Sequence, residues 1–576
     1  MRTGNRLFGL ISLLAILASA LAACGGAPSA QPIVQTVVVP QTVVVPQVVE
    51  KPVIVTPTPA PTPEVKEELA ADQTLRFVAR ALSFRLDPAA EARFGRTVIA
   101  HIWMPLFLRD NKNNLQPWLA TGYEVNADGT VYTVKIDPRA VWSDGTPVTA
   151  QEAKDYWTYG LDPKRCVECY LSLSGFDIIK GAKEIINGTG TELTGVVVKD
   201  EKTLEFQLTG PDPIFIHRLA LFNTGFAKME DVNKGPNYAA DGTARVNGPF
   251  MVKVWDIEKK QFEIVQNPKW WGDKKPTITR IVMQEATDEN VSFVQWKNNE
   301  VDIAQWLTNI REPLRKENPE QFYLIPYATN FYFPLWISLE PMDDIHVRRA
   351  LAFAVDWEAA VGAAWEGSRN DRVMTGILTP ELPCYKPNNW PDWGYDPAKA
   401  KEELAKSRYG AADKLPKIRI TTESQSPNYT RMAEIMAEQW KTNLGITNVE
   451  IKPGPIDAWG QEQDQVQVRR TSMGAILPDP LNFIEAHYNY HTSDGGGLKK
   501  DDKLDRLIAE LKVMKRDDPQ FCPKVQEAEA KLLSNYYMLP MVWEIYEFAV
   551  KPWVKNFNTN IDNNWYTLLD MYIVKH

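Results

Sequence analysis

The sequence predicts a globular protein of at least two domains or lobes that contains both strands and helices, and three observations carry that expectation. At 576 residues the chain is too long for one compact core. Strand patterns and helix starts follow one another, most clearly across Leu115–Trp157. The composition, 44% hydrophobic and 24% charged, is that of a globular body in water. A net charge of −9 argues against a nucleic-acid partner, which would select a basic face. The 19 Trp, 20 Tyr and 21 Phe first fill cores. Any left over suit a site that grips varied ligands with flat walls.

The amino terminus carries Arg2 and Arg6, then an apolar run from Leu7 to Ala23. That run is too short, and too soon followed by polar residues, to read as a membrane span. It ends in Leu21-Ala22-Ala23-Cys24-Gly25-Gly26, and small residues before a cysteine resemble a bacterial lipobox. The resemblance implies a signal peptide over residues 1–23, cleavage before Cys24, and acylation of its thiol and new amino group. An ordinary signal peptide with a chance cysteine is the alternative. Several acyl chains would anchor firmly where one would not. From Gln35 an imperfect repeat, Gln35–Pro40 and Gln41–Pro46, gives way to Thr-Pro alternation. Proline blocks helix and ladder bonding, so residues 24–73 read as a semi-rigid tether that lifts the body off a membrane.

The body opens with a strand candidate at Thr74–Ala81, then helical apolar spacing at Val98–Phe107. In Leu115–Trp157, Asn126-Ala127-Asp128-Gly129 is a turn between alternating strands at Thr121–Val125 and Val131–Ile136. Ser143–Pro147 is a second turn, and Thr149-Ala150-Gln151-Glu152 is a capping box that starts a helix.

This block resembles the signature region of the family 5 extracellular solute-binding proteins, the oligopeptide-, dipeptide- and nickel-binding proteins of ABC importers. The residues that carry the resemblance are Leu119-Ala120, Asp128-Gly129, Tyr132-Thr133, Val141-Trp142, Asp144-Gly145 and Thr146–Ala150. Further matches follow in order at Asn247–Phe250, Asn267–Gly272, Val347–Leu351, Ala354–Asp356, Tyr395–Ala400 and Leu539–Met541. In Tyr395–Ala400, Asp396 is placed to cap a helix with Pro397 at its first position. These residues set turns and caps, so they report fold and not ligand. The resemblance implies a periplasmic-binding-protein-like fold: two α/β lobes, an inserted subdomain in the first, and a two-segment hinge. Lobe I is expected at 74–330 with a return at 545–576, and lobe II at 331–544. A ligand would be enclosed between them by hinge closure.

Catalysis is not expected. His487 and His491 have helical ligand spacing, but no Glu stands beside the first as in a zincin, and two polar residues in a loop are the plainer reading. No nucleophile elbow or phosphate-cradling loop appears. A glycosidase-like carboxylate pair is the enzymatic alternative, since acids are plentiful. No cofactor and no metal is expected. Outside the cytoplasm disulfides are permitted, and Cys166, Cys169, Cys384 and Cys522 are the candidates, as a local pair and a long-range pair.

The ligand site rests on the resemblance. In peptide-binding relatives an acid in the segment matching Ser472–Phe483 holds the peptide's α-amino group. Matching Asp479-Pro480 and Asn482-Phe483 places Ile476 at that position, with Met473 or Gly474 where a Trp often lies. A buried ammonium deprived of its carboxylate costs about 3–5 kcal/mol, two to four decades of affinity. Asp479 stands three residues along. An Asp before proline reads first as a turn or cap residue, and second as a ligand carboxylate. By family analogy the cleft is also lined by Arg93, Phe94, Gly95, Asn330, Tyr332 and Met473. Glu91 and Asp464 are the alternative acids. Trp336, Trp365, Trp390, Trp393 and Trp459 lack an evident fold role, and Trp459 is the one expected to face the cleft. If they face the cleft they favour a neutral oligosaccharide over a peptide, because indole faces stack on sugar CH groups. The expected partners are ABC permease subunits, a small solute and the membrane through Cys24. The expected location is the outer face of the cytoplasmic membrane or the periplasm, as a monomer.

Overall fold

The computed structural model describes residues 67–79, 82, 85–89, 96–110, 112, 114–167, 169, 171–286, 288–305, 307, 311–367, 372–424, 426–454, 465–474, 477–493, 497–557 and 568–576. The expected signal peptide, Cys24 and the tether up to residue 66 lie outside them. The tether expected over 24–73 ends sooner. The amide of Ala70 donates to the carbonyl of Ile573 at 2.9 Å, and Gln73 Nε2 donates to the same carbonyl at 2.7 Å. Ile573 N–H returns a bond to Gln73 Oε1 at 2.9 Å. Residues 67–73 are thus part of the body, held by a segment 500 residues away that no local pattern announces.

Strand β1 (Thr74–Ala79) begins lobe I. Strands β2 (Ala120–Val125), β3 (Val131–Ile136), β4 (Val196–Asp200) and β5 (Thr203–Gln207) form a separate antiparallel sheet in the order β2-β3-β5-β4. Asn126 Oδ1 accepts from the amides of Thr130 and Val131 at 2.9 Å each, and Gly129 takes the turn's left-handed position at φ 71°. Helix α1 (Ala150–Leu161) starts at the expected capping box: Thr149 Oγ1 accepts from Glu152 N–H at 3.2 Å and Glu152 Oε2 from Thr149 N–H at 2.8 Å. The helical expectation at Val98–Phe107 holds only to Ile102, after which Pro105 intervenes and Phe107–Arg109 pairs as a strand with Leu115–Pro117.

Strands β6 (Phe250–Asp256), β7 (Gln261–Gln266), β8 (Arg280–Glu285) and β9 (Ile303–Gln305) return to β1, with α2 (Glu289–Lys297) between the last two. Then β10 (Phe322–Pro334) leaves for lobe II. There α3 (Pro397–Lys406) is capped by Asp396, whose Oδ1 accepts from Lys399 N–H at 2.9 Å with Pro397 at the first position. Strands β11 (Ile418–Glu423), β12 (Val449–Gly454) and β13 (Val468–Arg469) form a parallel sheet in the order β12-β11-β13, flanked by α4 (Pro427–Leu444). Strand β14 (Thr471–Gly474), α5 (Pro480–Ser493) and α6 (Phe521–Leu533) follow, and β15 (Met538–Val550) runs back to lobe I. The large sheet has the order β14-β10-β15-β9-β1-β8-β7-β6.

One apolar core draws on Leu75 through Ile303 and Tyr546 through Ile573; the other draws on Ala328 through Trp543. Among the described residues, the strands that contribute to both are β10 and β15. They pair antiparallel from Phe322↔Ala549 to Pro334↔Met538, with a register break between Pro326 and Asn330, where the chain passes from one core to the other. Every residue of β15 is buried, Glu544 and Glu547 included.

Candidate functional site

The lobes meet around a cavity of about 420 Å³. Lobe I supplies Arg109, Ile214 and His217; lobe II supplies Glu381, the Cys384 and Cys522 pair, Leu477–Pro480 and Arg516. Ile214 and Leu221 of lobe I touch Leu477 of lobe II in a small apolar cluster of their own. Arg109 Nη2 donates to the His217 carbonyl at 2.8 Å. Burial pushes the His217 imidazole down to about 4; the Arg109 and Arg516 charges add to the shift, and Asp479 opposes it.

Asp479 sits at the start of α5. Its Oδ1 accepts from Leu481 N–H at 3.1 Å and Asn482 N–H at 3.3 Å, and Arg516 Nε reaches its Oδ2 at 2.6 Å. It is a helix cap and an ion-pair partner on the cavity wall, so its carboxylate is already committed.

A second feature lies at the carboxyl ends of the parallel strands, where open α/β sheets place ligands. Glu423 ends β11, Arg470 follows β13, and the two form an ion pair. Arg470 is 5% exposed, with its guanidinium 4.3 Å from the ring centroid of Phe331 and 3.9 Å from that of Tyr429. Because Phe331 belongs to β10, this end of the lobe II sheet abuts the crossing strands. The segment that would carry Trp459 starts here, after β12, outside the described residues.

Strand β14 joins the two features. It pairs with β10 from Tyr332↔Thr471 to Thr329↔Gly474, and its other side carries no strand among the described residues. Ser472 and Gly474 are exposed, while Thr471 and Met473 are half-buried, with Met473 packed on the lobe II core. Its backbone is a free edge at the lobe junction, two residues short of the cavity wall at Leu477. A Cβ on Gly474 would come within 2.5 Å of Thr329 Oγ1, which explains glycine at this pairing.

Asn330 and Tyr332 do not face a ligand, contrary to the family analogy. Both have zero exposure. Asn330 Nδ2 donates to the Ile377 carbonyl at 2.9 Å, and its Oδ1 meets His487 Nε2 at 3.2 Å. Tyr332 OH lies 3.4 Å from His491 Nε2, and Tyr537 OH 3.1 Å from His487 Nδ1. The two histidines are on α5, not in a loop, and their i,i+4 spacing turns both into the core. Burial pushes His487 down to about 3 and His491 well below its ordinary range, and it raises Tyr332 and Tyr537. These groups pack together in the core and pair through three of the four imidazole nitrogens; His491 Nδ1 has no hydrogen-bond partner among the described residues. Among the described residues no group of three or more His, Cys, Asp or Glu could hold a metal ion.

The sulfurs of Cys166 and Cys169 are joined, as are those of Cys384 and Cys522. Trp365 and Trp390 are buried in the lobe II core, Trp336 is buried with the Arg469 guanidinium 4.1 Å from its ring centroid, and Trp390 stacks on Trp393 at 4.1 Å. Arg93, Phe94, Gly95, Trp459 and Ile476 lie outside the described residues, as do Glu91 and Asp464. Sequence reasoning missed Arg109, His217 and Arg516. They are distant in the chain, stand in no motif, and become neighbours only when the lobes meet.

Residues 114–495 match the model of the bacterial extracellular solute-binding proteins, family 5 middle. The periplasmic oligopeptide-binding protein OppA of Escherichia coli (strain K12) is 27% identical over 486 residues, 82% of this chain and 87% of that protein. The periplasmic murein peptide-binding protein MppA of the same organism is 25% identical over 511 residues, 85% of this chain and 91% of that protein. A solved structure of the Escherichia coli murein tripeptide binding protein MppA superposes with a TM-score of 0.75 at 23% identity, covering 88% of this chain and 100% of that one. Two cores, two crossing strands and the family match agree: the chain belongs to the family 5 bacterial extracellular solute-binding proteins.

Proposed function

We propose that this chain captures an oligopeptide-like solute between its lobes, outside the cytoplasm, and delivers it to the permease subunits of an ABC importer. The free edge of β14 at the lobe junction carries this reading. An extended peptide adds to such an edge through main-chain hydrogen bonds, so it is gripped whatever its side chains are. The relatives named for oligopeptides and murein peptides support the same class of solute. Arg93, Phe94 and Gly95 from lobe I, with Trp459, Met473, Gly474 and Ile476 from lobe II, are the residues assigned to the cleft. Ile476 occupies the position of the family's amine-binding acid, so the solute's amino terminus has no ionic partner there. Affinity then comes from enclosure, apolar contact and backbone bonds. The protein does no chemistry on the solute. Its closed, liganded form is the one the permease selects, a population shift driven by differential affinity. Cys24 carries the lipid, residues 25–66 form the tether, and the body works as a monomer.

Trp365, Trp390 and Trp393, three of the tryptophans that were to discriminate a sugar from a peptide, pack into the lobe II core, so the oligosaccharide reading draws no support from them. Native mass spectrometry of protein purified without unfolding is the test. A ladder of peptide masses is the expected result, and adducts spaced by hexose masses would replace the peptide with a sugar.

A further inference from the structure

A second cavity lies on lobe I, away from the lobe junction. It has a volume of about 530 Å³ and is built just beyond the end of β15, at Lys551-Pro552-Trp553. Strand β15 rises about 3.3 Å per residue, so Lys551 stands some 25 Å along it from Trp543, the last lobe II core residue of that strand. The wall is aromatic: Phe293 and Trp296 from α2, and Trp553. Trp553 is held in place, because its Nε1 donates to Asp302 Oδ1 at 2.7 Å and its ring stacks on His576 at 4.0 Å. Asn318 and Gln321, beyond the helix Arg311–Glu317, contribute amide groups.

Lys551 is the unusual member. It is 7% exposed, and its ammonium sits 4.2 Å from the ring centroid of Trp296 and 5.5 Å from that of Trp553. Among the described residues no carboxylate lies within ion-pair distance of it. Asp302, whose charge it feels, is occupied by the Arg76 amide at 2.7 Å and by Trp553. The charged residues Lys297 and Glu317, which also line the cavity, are both exposed. Burial lowers Lys551 from its ordinary range, and Asp302 opposes that. Indole faces attract an ammonium but do not neutralise it. A buried cation of this kind, at the wall of a ligand-sized cavity, lacks its counter-ion.

We propose that this cavity is a second binding site, for a small organic carboxylate with a flat apolar body. The carboxylate pairs with Lys551, and the body lies against Phe293, Trp296 and Trp553. The site is independent of the cleft and of the solute that the cleft takes.

The test is calorimetric titration of the whole protein with 3-phenylpropionate and with its uncharged analogue 3-phenylpropionamide. The acid is expected to bind about tenfold or more tighter than the amide, the margin a desolvated charge pair supplies. Lys551→Met should abolish the preference and Lys551→Arg should keep it. Gln321→Trp, which fills the cavity and leaves the ammonium alone, should abolish binding of the acid; it keeps the test decisive if Lys551→Met does not fold. No binding of the acid to the folded wild type, equal binding of acid and amide, or a preference that survives in Lys551→Met or Gln321→Trp would overturn the proposal.

Discussion

Arg516 holds Asp479 with two guanidinium nitrogens, Nε to Oδ2 at 2.6 Å and Nη2 to Oδ1 at 3.2 Å, across 37 residues of sequence. The same guanidinium donates to the carbonyls of Leu511 and Met514 at 3.1 and 2.9 Å. It therefore ties the start of α5, on the cavity wall, to the segment before α6. Replacing Arg516 with Met leaves a carboxylate that is 7% exposed without its countercharge. The side chain of Arg516 is 23% exposed, so water compensates in part, and the expected loss of lobe II stability is about 2–3 kcal/mol. Urea unfolding of the two proteins measures it, and a difference below about 0.5 kcal/mol, the scale of an ordinary surface substitution, would show the pair to be ornamental.

Acid should destabilise this protein through its histidines before its carboxylates titrate. His217 and His487 have folded values of about 4 and about 3, against about 6.5 when unfolded. Above pH 6.5 both are neutral in either state. As pH falls below that, the unfolded chain takes up protons that the fold refuses, so stability declines towards pH 4 and then pH 3. Protonating His217 also adds a cation beside Arg109 and Arg516 where the lobes meet. His217→Asn is expected to flatten the decline between pH 6.5 and 4, read from urea midpoints across that range. An unchanged slope would remove His217 from the account.

The Cys384–Cys522 bridge spans 138 residues, whereas Cys166–Cys169 spans three. Cross-links stabilise mainly by restricting the unfolded chain, and more so for longer loops. Cys384→Ser with Cys522→Ser should cost about 2–4 kcal/mol. Cys166→Ser with Cys169→Ser should cost less. Thermal melting of both double variants ranks them, and the reverse order would contradict the loop argument.

Under the proposed reading, Ile476→Asp restores the acid expected to hold a peptide's amino group. Affinity for a tripeptide with a free amino terminus should rise, by up to about two decades if the ammonium is buried, and affinity for its N-acetylated form should not. Paired titrations decide this. Equal gains for both peptides would mean that residue 476 is not beside the amine.

Cys24→Ser should release the protein from membranes into the soluble fraction and end incorporation of labelled fatty acid. Retention in the membrane pellet would point to an anchor elsewhere.

Local chemistry wrote much of the scaffold into the sequence. Thr149 and Glu152 announce a helix start, Asn126 to Gly129 a hairpin, and Asp396-Pro397 another cap, because each satisfies backbone groups within a few residues. The family pattern likewise signals two lobes and two crossing strands. The site was only partly legible. Asn330 and Tyr332 read as cleft residues by family analogy, yet they join a buried network with His487, His491 and Tyr537, a choice made by packing across more than 150 residues. Asp479 read first as a cap, and so it is, but its partner Arg516 was invisible. The cavity at the lobe junction, the free edge of β14 and the pocket at Lys551 likewise join residues far apart in the chain. Such relations depend on burial and on which elements end up beside one another, and these are properties of the assembled fold that no short stretch of sequence contains.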